Sequence, residues 1–169
     1  SQQQRDQARR AIERFLRWHL LDRGRTTIAV EHPFDVQLKV GGNTISLNGR
    51  IDRVELDQAG RAHVVDFKTG KSKPTEPEIA EYPQLGVYQL AVAAGALEGC
   101  PGVPAETGDL PGGAELVHLR LDRGGGPDVQ AQPALGSAAG DETWVDRLLA
   151  TVAERVLSEQ FGPRPGDHC

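Results

Sequence analysis

Between residues 26 and 70 the chain twice reverses on glycine: "PFDVQLKV", "GGN", "TISLNGRIDRVEL", "DQAGR", "AHVVDFKTG". Phe34, Val36, Leu38 and Val40 alternate with Asp35, Gln37 and Lys39, the period-two pattern of a half-buried strand. Short glycine turns between such runs leave one economical arrangement, a three-stranded antiparallel meander. The rest of the chain must pack around it.

Helical spacing flanks the meander. Ala8, Ile12, Phe15, Leu16, His19 and Leu20 recur at three- and four-residue intervals, predicting a helix over residues 5–22 with one apolar stripe among arginines. After "VVDFKTG" a second helix is predicted through "PQLGVYQLAVAA", entered at a Thr75/Glu78 capping pair or at Pro83 and stopped near Gly95. Residues 96–113 are rich in Gly and Pro and read as a surface loop, "AELVHLRLD" as a fourth strand, and residues 122–140 as a second surface loop. Asp141 would cap a last helix with Val145, Leu148, Leu149, Val152 and Val156 as its buried stripe. This order predicts an α/β fold: a central mixed sheet, made of the meander plus a further strand, flanked by helices. At 169 residues the chain fits one domain, residues 1–169.

Composition narrows the class. With 25% charged and 38% hydrophobic residues, the chain is neither a disordered nor a membrane sequence. No apolar run approaches the roughly 20 residues that span a bilayer. The start, "SQQQRDQARR", lacks the apolar core of a secretory signal, so the cytoplasm is the expected location, with no membrane partner. Two cysteines, Cys100 and Cys169, are too few for a disulfide framework. A net charge of −5 argues against bulk attraction to nucleic acid, yet "RDQARRAIERFLRWHLLDRGR" carries seven arginines against three acids. That stretch is either a solvated helix face or a surface that meets phosphates.

The hairpins can be counted. With Gln58, Ala59 and Gly60 as loop, Leu56 faces Ala62, Val54 faces Val64, Asp52 faces Asp66 and Arg50 faces Lys68. With Gly41 and Gly42 as loop, Leu38 faces Ile45, Val36 faces Leu47 and Glu31 faces Asp52. If Pro33 introduces no bulge, three carboxylates from three strands fall in one row, and Lys68 shares the face of Asp66. Like charges directly opposed are destabilising, so the row needs an offset. A divalent cation supplies one, and an all-oxygen donor set favours Mg²⁺ or Mn²⁺ over a thiolate-loving metal. Such an ion polarises a phosphoryl oxygen, and a neighbouring ammonium stabilises developing charge. The plainer reading is an exposed face on which Arg50, Asp52, Asp66 and Lys68 settle one another. Val54, Leu56 and Val64 continue the same face, which places the charges at the rim of an apolar patch.

"GRIDRVE", "VVDFKTG" and "QLGVYQLA", in that order and spacing, resemble the core motifs of the PD-(D/E)XK nuclease superfamily and of its RecB-like branch, nearest the AdnAB and AddAB helicase-nucleases. The resemblance is close over residues 28–95 and topological outside them. It implies a restriction-endonuclease-like core in which Asp52, Asp66 and Lys68 are catalytic. Glu31, Asp52, Asp66 and the backbone carbonyl of Phe67 would be metal ligands, and Gln84 and Tyr88 would contact DNA or support the lysine. Ordinary helix packing is the competing role for that last pair. RecB-like nucleases usually carry a metal-binding histidine upstream of the first acid. Here the candidates are His19, on a stripe that reads as core, and His32, which alternates away from Glu31. The histidine is therefore expected in a segment outside this chain. Relatives also close the domain with an iron–sulfur cluster, of which Cys169 would be one ligand in a longer parent.

The resemblance implies metal-dependent deoxyribonuclease chemistry, exonuclease-like, as one module of a helicase-nuclease that processes DNA double-strand breaks. Its partners would be DNA and a motor domain or subunit. The absence of a Walker loop agrees with a motor lying elsewhere. The alternatives are a catalytically incomplete DNA-binding or scaffolding module and a stand-alone CRISPR-associated exonuclease.

Overall fold

The computed structural model describes residues 1–136 and 142–161, with side chains through residue 158. The elements are α1 (Gln2–Leu20), β1 (Thr26–Val40), β2 (Asn43–Leu56), β3 (Ala62–Lys68), α2 (Glu76–Ile79), α3 (Pro83–Ala93), β4 (Pro111–Arg123), β5 (Gly126–Gln132) and α4 (Trp144–Phe161). One mixed sheet in the order β1-β2-β3-β4-β5 organises them, antiparallel except for the parallel β3–β4 pair. The predicted three-stranded meander is its first half. The parallel neighbour requires a crossover, which α2 and α3 provide.

The hairpins form in the counted register. Leu38 pairs with Ile45, Val36 with Leu47, Val54 with Val64 and Leu56 with Ala62. Gly60 takes φ +76° in the second loop, a backbone region that costs a residue with a Cβ. Both predicted helix entries are used: Thr75 and Glu78 open the short α2, and Pro83 opens α3.

Alternation sends the two sheet faces to different helices. Val54, Val64, Leu116 and Ile51 pack with Ile79, Leu85 and Val92 on the α3 side, whereas Val65 and Val117 pack with Trp18 of α1. Gly86 lets α4 close on α3, since a Cβ there would lie 2.5 Å from the Trp144 ring.

Three expectations need correction. Residues 122–140 are not one surface loop, because residues 126–132 form β5, whose inward positions are the buried Gln130 and Gln132. In α1 the buried residue is Trp18, while Ile12, Leu16 and Leu20 are 58%, 46% and 80% exposed and His19 is exposed too. The helix rolls because Trp18 and Phe15 pack edge-on against Phe67, at centroid distances of 5.4 and 5.5 Å. In α4, Val145 is buried but Val152 and Val156 stay about half exposed. Asp141, expected to cap α4, lies outside the described residues. Thr143 and Asp146 supply reciprocal hydrogen bonds at that end. Within the other predicted loop, Leu97 is buried in the α3-side core and the Thr107 hydroxyl donates to the Gly60 carbonyl at 2.8 Å. Among the described residues no helix is long and apolar enough to cross a membrane.

Candidate active site

The end of β3 puts its chemistry on one side. Val65 and Phe67 turn toward α1, which leaves Asp66 and Lys68 facing α3. Asp66 is 4% exposed. Its Oδ1 accepts a hydrogen bond from Gln84 Nε2 at 3.1 Å, and Lys68 Nζ lies 2.8 Å from its Oδ2. Lys68 also donates to Gln84 Oε1 at 2.6 Å, and Gln84 Nε2 donates to the Tyr88 hydroxyl at 3.0 Å. One helical turn of α3, residues 84 to 88, thus spans both members of the Asp-x-Lys pair. The Tyr88 ring packs edge-on against Phe34 at 6.1 Å.

Asp52 reaches the same place by leaving the ladder. Paired Cα positions of β2 and β3 end at Arg53 and Val65. One step further the strands exchange a side-chain bond instead: the Phe67 N–H donates to Asp52 Oδ2 at 2.9 Å. Asp52 and Asp66 are therefore neighbours, and Asp66 senses the charge of Asp52.

Burial pushes the Asp66 carboxyl above its ordinary range; Lys68 works against that, and the Asp52 charge adds to it. Burial pulls on Lys68 in the opposite sense, but the Asp66 carboxylate 2.8 Å away outweighs it, so the ammonium is held more tightly than usual. Tyr88 is raised by burial, with the two carboxylates adding to it. Asp66 Oδ2 is buried and receives no well-directed hydrogen bond, since the nearby ammonium lies off the line one requires. A buried carboxylate oxygen with unused lone pairs, beside a second carboxylate, fits a hard divalent cation. Among the described residues no three His, Cys, Asp or Glu side chains converge, so two carboxylates carry that fit.

Glu31 is not brought into this group. It takes φ +49°, which breaks the alternation of β1, and its carboxylate lies at 3.5 Å from Arg50 on an exposed edge. The expected row of three acids is a pair in the structure. Arg50 accordingly meets Glu31, with no ion pair to Asp52 or Asp66. His32 binds the Ala96 carbonyl at 2.8 Å, and His19 approaches Arg53 at 3.0 Å; neither joins the acids. Cys169 lies outside the described residues.

Sequence reasoning missed His118. It is the β4 partner of Lys68, is 1% exposed, and acts on the charge of Asp66. Its Nε2 meets Gln130 Oε1 at 2.9 Å. The signal was present in "AELVHLRLD", where a histidine occupies an inward position of an otherwise apolar alternation.

Among solved structures, the crystal structure of SSO0001 is similar at 19% identity and a TM-score of 0.47, over 80% of this chain and 52% of that one. The chain thus spans about half the length of that protein. No curated protein matches the chain. PD-(D/E)XK nucleases hydrolyse phosphodiesters and generally use divalent metal ions, usually Mg²⁺. The sequence model of the PD-(D/E)XK nuclease superfamily matches residues 1–169, and the chain belongs to that superfamily.

Proposed function

We propose that the chain is the nuclease module of a RecB-like helicase-nuclease, hydrolysing DNA phosphodiesters from single-stranded or unwound ends. The observation that carries this reading is the buried Asp66, bridged by Gln84 to Lys68 and flanked by Asp52. Asp52, Asp66 and the Phe67 carbonyl would hold a Mg²⁺ or Mn²⁺ ion, with water and substrate completing its shell. When bound, the ion supplies Lewis-acid polarisation of the phosphate and a lowered pKa for water.

The chain's own residues do the rest. Lys68 remains protonated and places a positive charge where the phosphorane builds negative charge. Gln84 fixes both partners of that pair, so the ammonium cannot swing away when Asp66 is engaged. Tyr88 holds the amide of Gln84 and offers a hydroxyl to a bound strand.

The test is degradation of linear single-stranded DNA in Mg²⁺ or Mn²⁺. Asp66→Ala and Lys68→Ala should each lose about 100-fold or more in rate. Equal cleavage by all three proteins would trace the activity to a contaminant. A DNA-binding or scaffolding module without turnover is favoured by one observation, the engagement of Glu31 with Arg50 away from the two aspartates. That reading expects binding of DNA and no metal-dependent cleavage.

A further inference from the structure

The arginines of the basic stretch do not all have the same fate. Arg23 and Arg25 are consumed by buried carboxylates, and Arg9 pairs with Glu13 on the exposed side of α1. Arg10 and Arg14 turn instead toward the end of β3 and the later part of β4, where with Gln7, Lys71 and Arg120 they line a concavity of about 120 Å³. Arg120 donates to Gln7 Oε1 and lies 3.5 Å from the carbonyl of Thr69, the residue that follows Lys68. This hollow therefore sits at the strand end that carries the Asp66–Lys68 pair but on the α1 side of the sheet, so a strand reaching it from the pair passes around the end of β3. Asp122, at 3.2 Å from Arg14, is the carboxylate that answers its four cations, and among the described residues Arg10 and Lys71 form no ion pair. Such an excess, on a chain of net charge −5, is a standing electrostatic cost that a polyanion removes.

We propose that this hollow binds the phosphodiester backbone of the nucleic-acid strand as it runs from the Asp66–Lys68 site along α1. The proposal rests on the nuclease reading for its direction, but binding is measurable without catalysis. Phosphate contacts of this kind carry no sequence information, so the site would hold the strand in register and leave base identity unread.

The experiment is fluorescence anisotropy of a labelled single-stranded oligonucleotide in EDTA, repeated over a range of salt concentrations. Arg10→Gln with Lys71→Gln should weaken binding roughly tenfold and flatten the plot of log K against log salt by about 1.4, or 0.7 for each charge removed. Arg9→Gln, which removes one charge on the other side of α1, should change neither. Arg10→Lys with Lys71→Arg keeps both charges and should restore affinity and slope. Unchanged affinity and slope in the double variant, or no binding by the unaltered chain, overturns the proposal. Weakened binding in the double variant of a protein that binds DNA but never cleaves it would sink the nuclease reading and leave this site standing; normal cleavage with an unaffected double variant would do the reverse.

Discussion

Asp66 shows how a single side chain can be a liability for folding and an asset for chemistry. Its folded-state pKa is raised above the ordinary 3.8, first by burial, so the ionised form costs stability at neutral pH, and that cost fades as pH falls through the raised value. Asp66→Asn removes the buried charge and keeps a side chain of the same shape beside Gln84. The metal-free variant should therefore melt higher than the unaltered chain at pH 7. Adding Mn²⁺ should raise the melting temperature of the unaltered chain, since a ligand at 100 times its Kd stabilises by about 2.7 kcal/mol, and should leave the variant unmoved. Calorimetry with and without metal reads both effects. A lower metal-free melting temperature for Asp66→Asn would mean that Lys68 already compensates the carboxylate, removing the electrostatic reason for a cation there.

The elements that place this site depend on buried amides. Gln132 of β5 donates to the carbonyls of Ile79 and Tyr82 at 2.9 and 3.1 Å and accepts from Gln89 of α3 at 2.9 Å. Gln130 donates to Pro74 O and Glu76. Together they fasten the connection between Lys68 and Gln84 to the far edge of the sheet. Gln132→Leu, similar in size, removes three hydrogen bonds, from Ile79 and Tyr82 carbonyls that each keep a backbone N–H partner and from a Gln89 amide that keeps the Pro133 carbonyl; at about 0.5–1.5 kcal/mol net for each bond, the loss should be a few kcal/mol. Urea unfolding should show it as a lower midpoint at unchanged slope. These amides also explain what the sequence conceals. The hairpins are legible because Gly60 and the alternation of Val54, Leu56 and Val64 determine register locally. β5 is not, because Gln130 and Gln132 look like solvated residues until α2 and α3 supply their partners. That Asp66 and Lys68 share a face is legible from alternation, whereas Gln84 stands out only through the family resemblance. The departure of Glu31 is not, since a positive φ at a glutamate has no local signature.

At the scale of the molecule, α1 is fastened to the sheet by charge as much as by packing. Glu55 of β2 is fully buried and takes Arg23 at 2.6 Å, Arg25 at 2.8 Å and Arg53 at 2.7 Å, while Arg25 continues to Glu115 of β4 at 2.8 Å. Arg23 also covers the Trp18 ring at 3.8 Å, so the link from α1 into β1 passes through this cluster. Burial alone would raise the Glu55 carboxyl, but its hydrogen bond from Arg25 and the charges of Arg23, Arg25 and Arg53 prevail, and its pKa lies below the ordinary 4.5. A group depressed on folding stabilises fully above its unfolded pKa and loses that contribution as pH falls through the folded value. The chain should therefore lose stability on acidification from about pH 4.5 downward. Glu55→Gln should cost roughly 3–5 kcal/mol at pH 7, because Arg23 and Arg53 then have no buried countercharge and Arg25 keeps only Glu115. As pH falls below about 4.5 the variant and the unaltered chain should draw together, since protonation does to one what substitution does to the other. Thermal unfolding followed from pH 7 to pH 3 checks this: two curves that stay parallel throughout would show that the arginines, and not the carboxylate between them, set the stability of this joint.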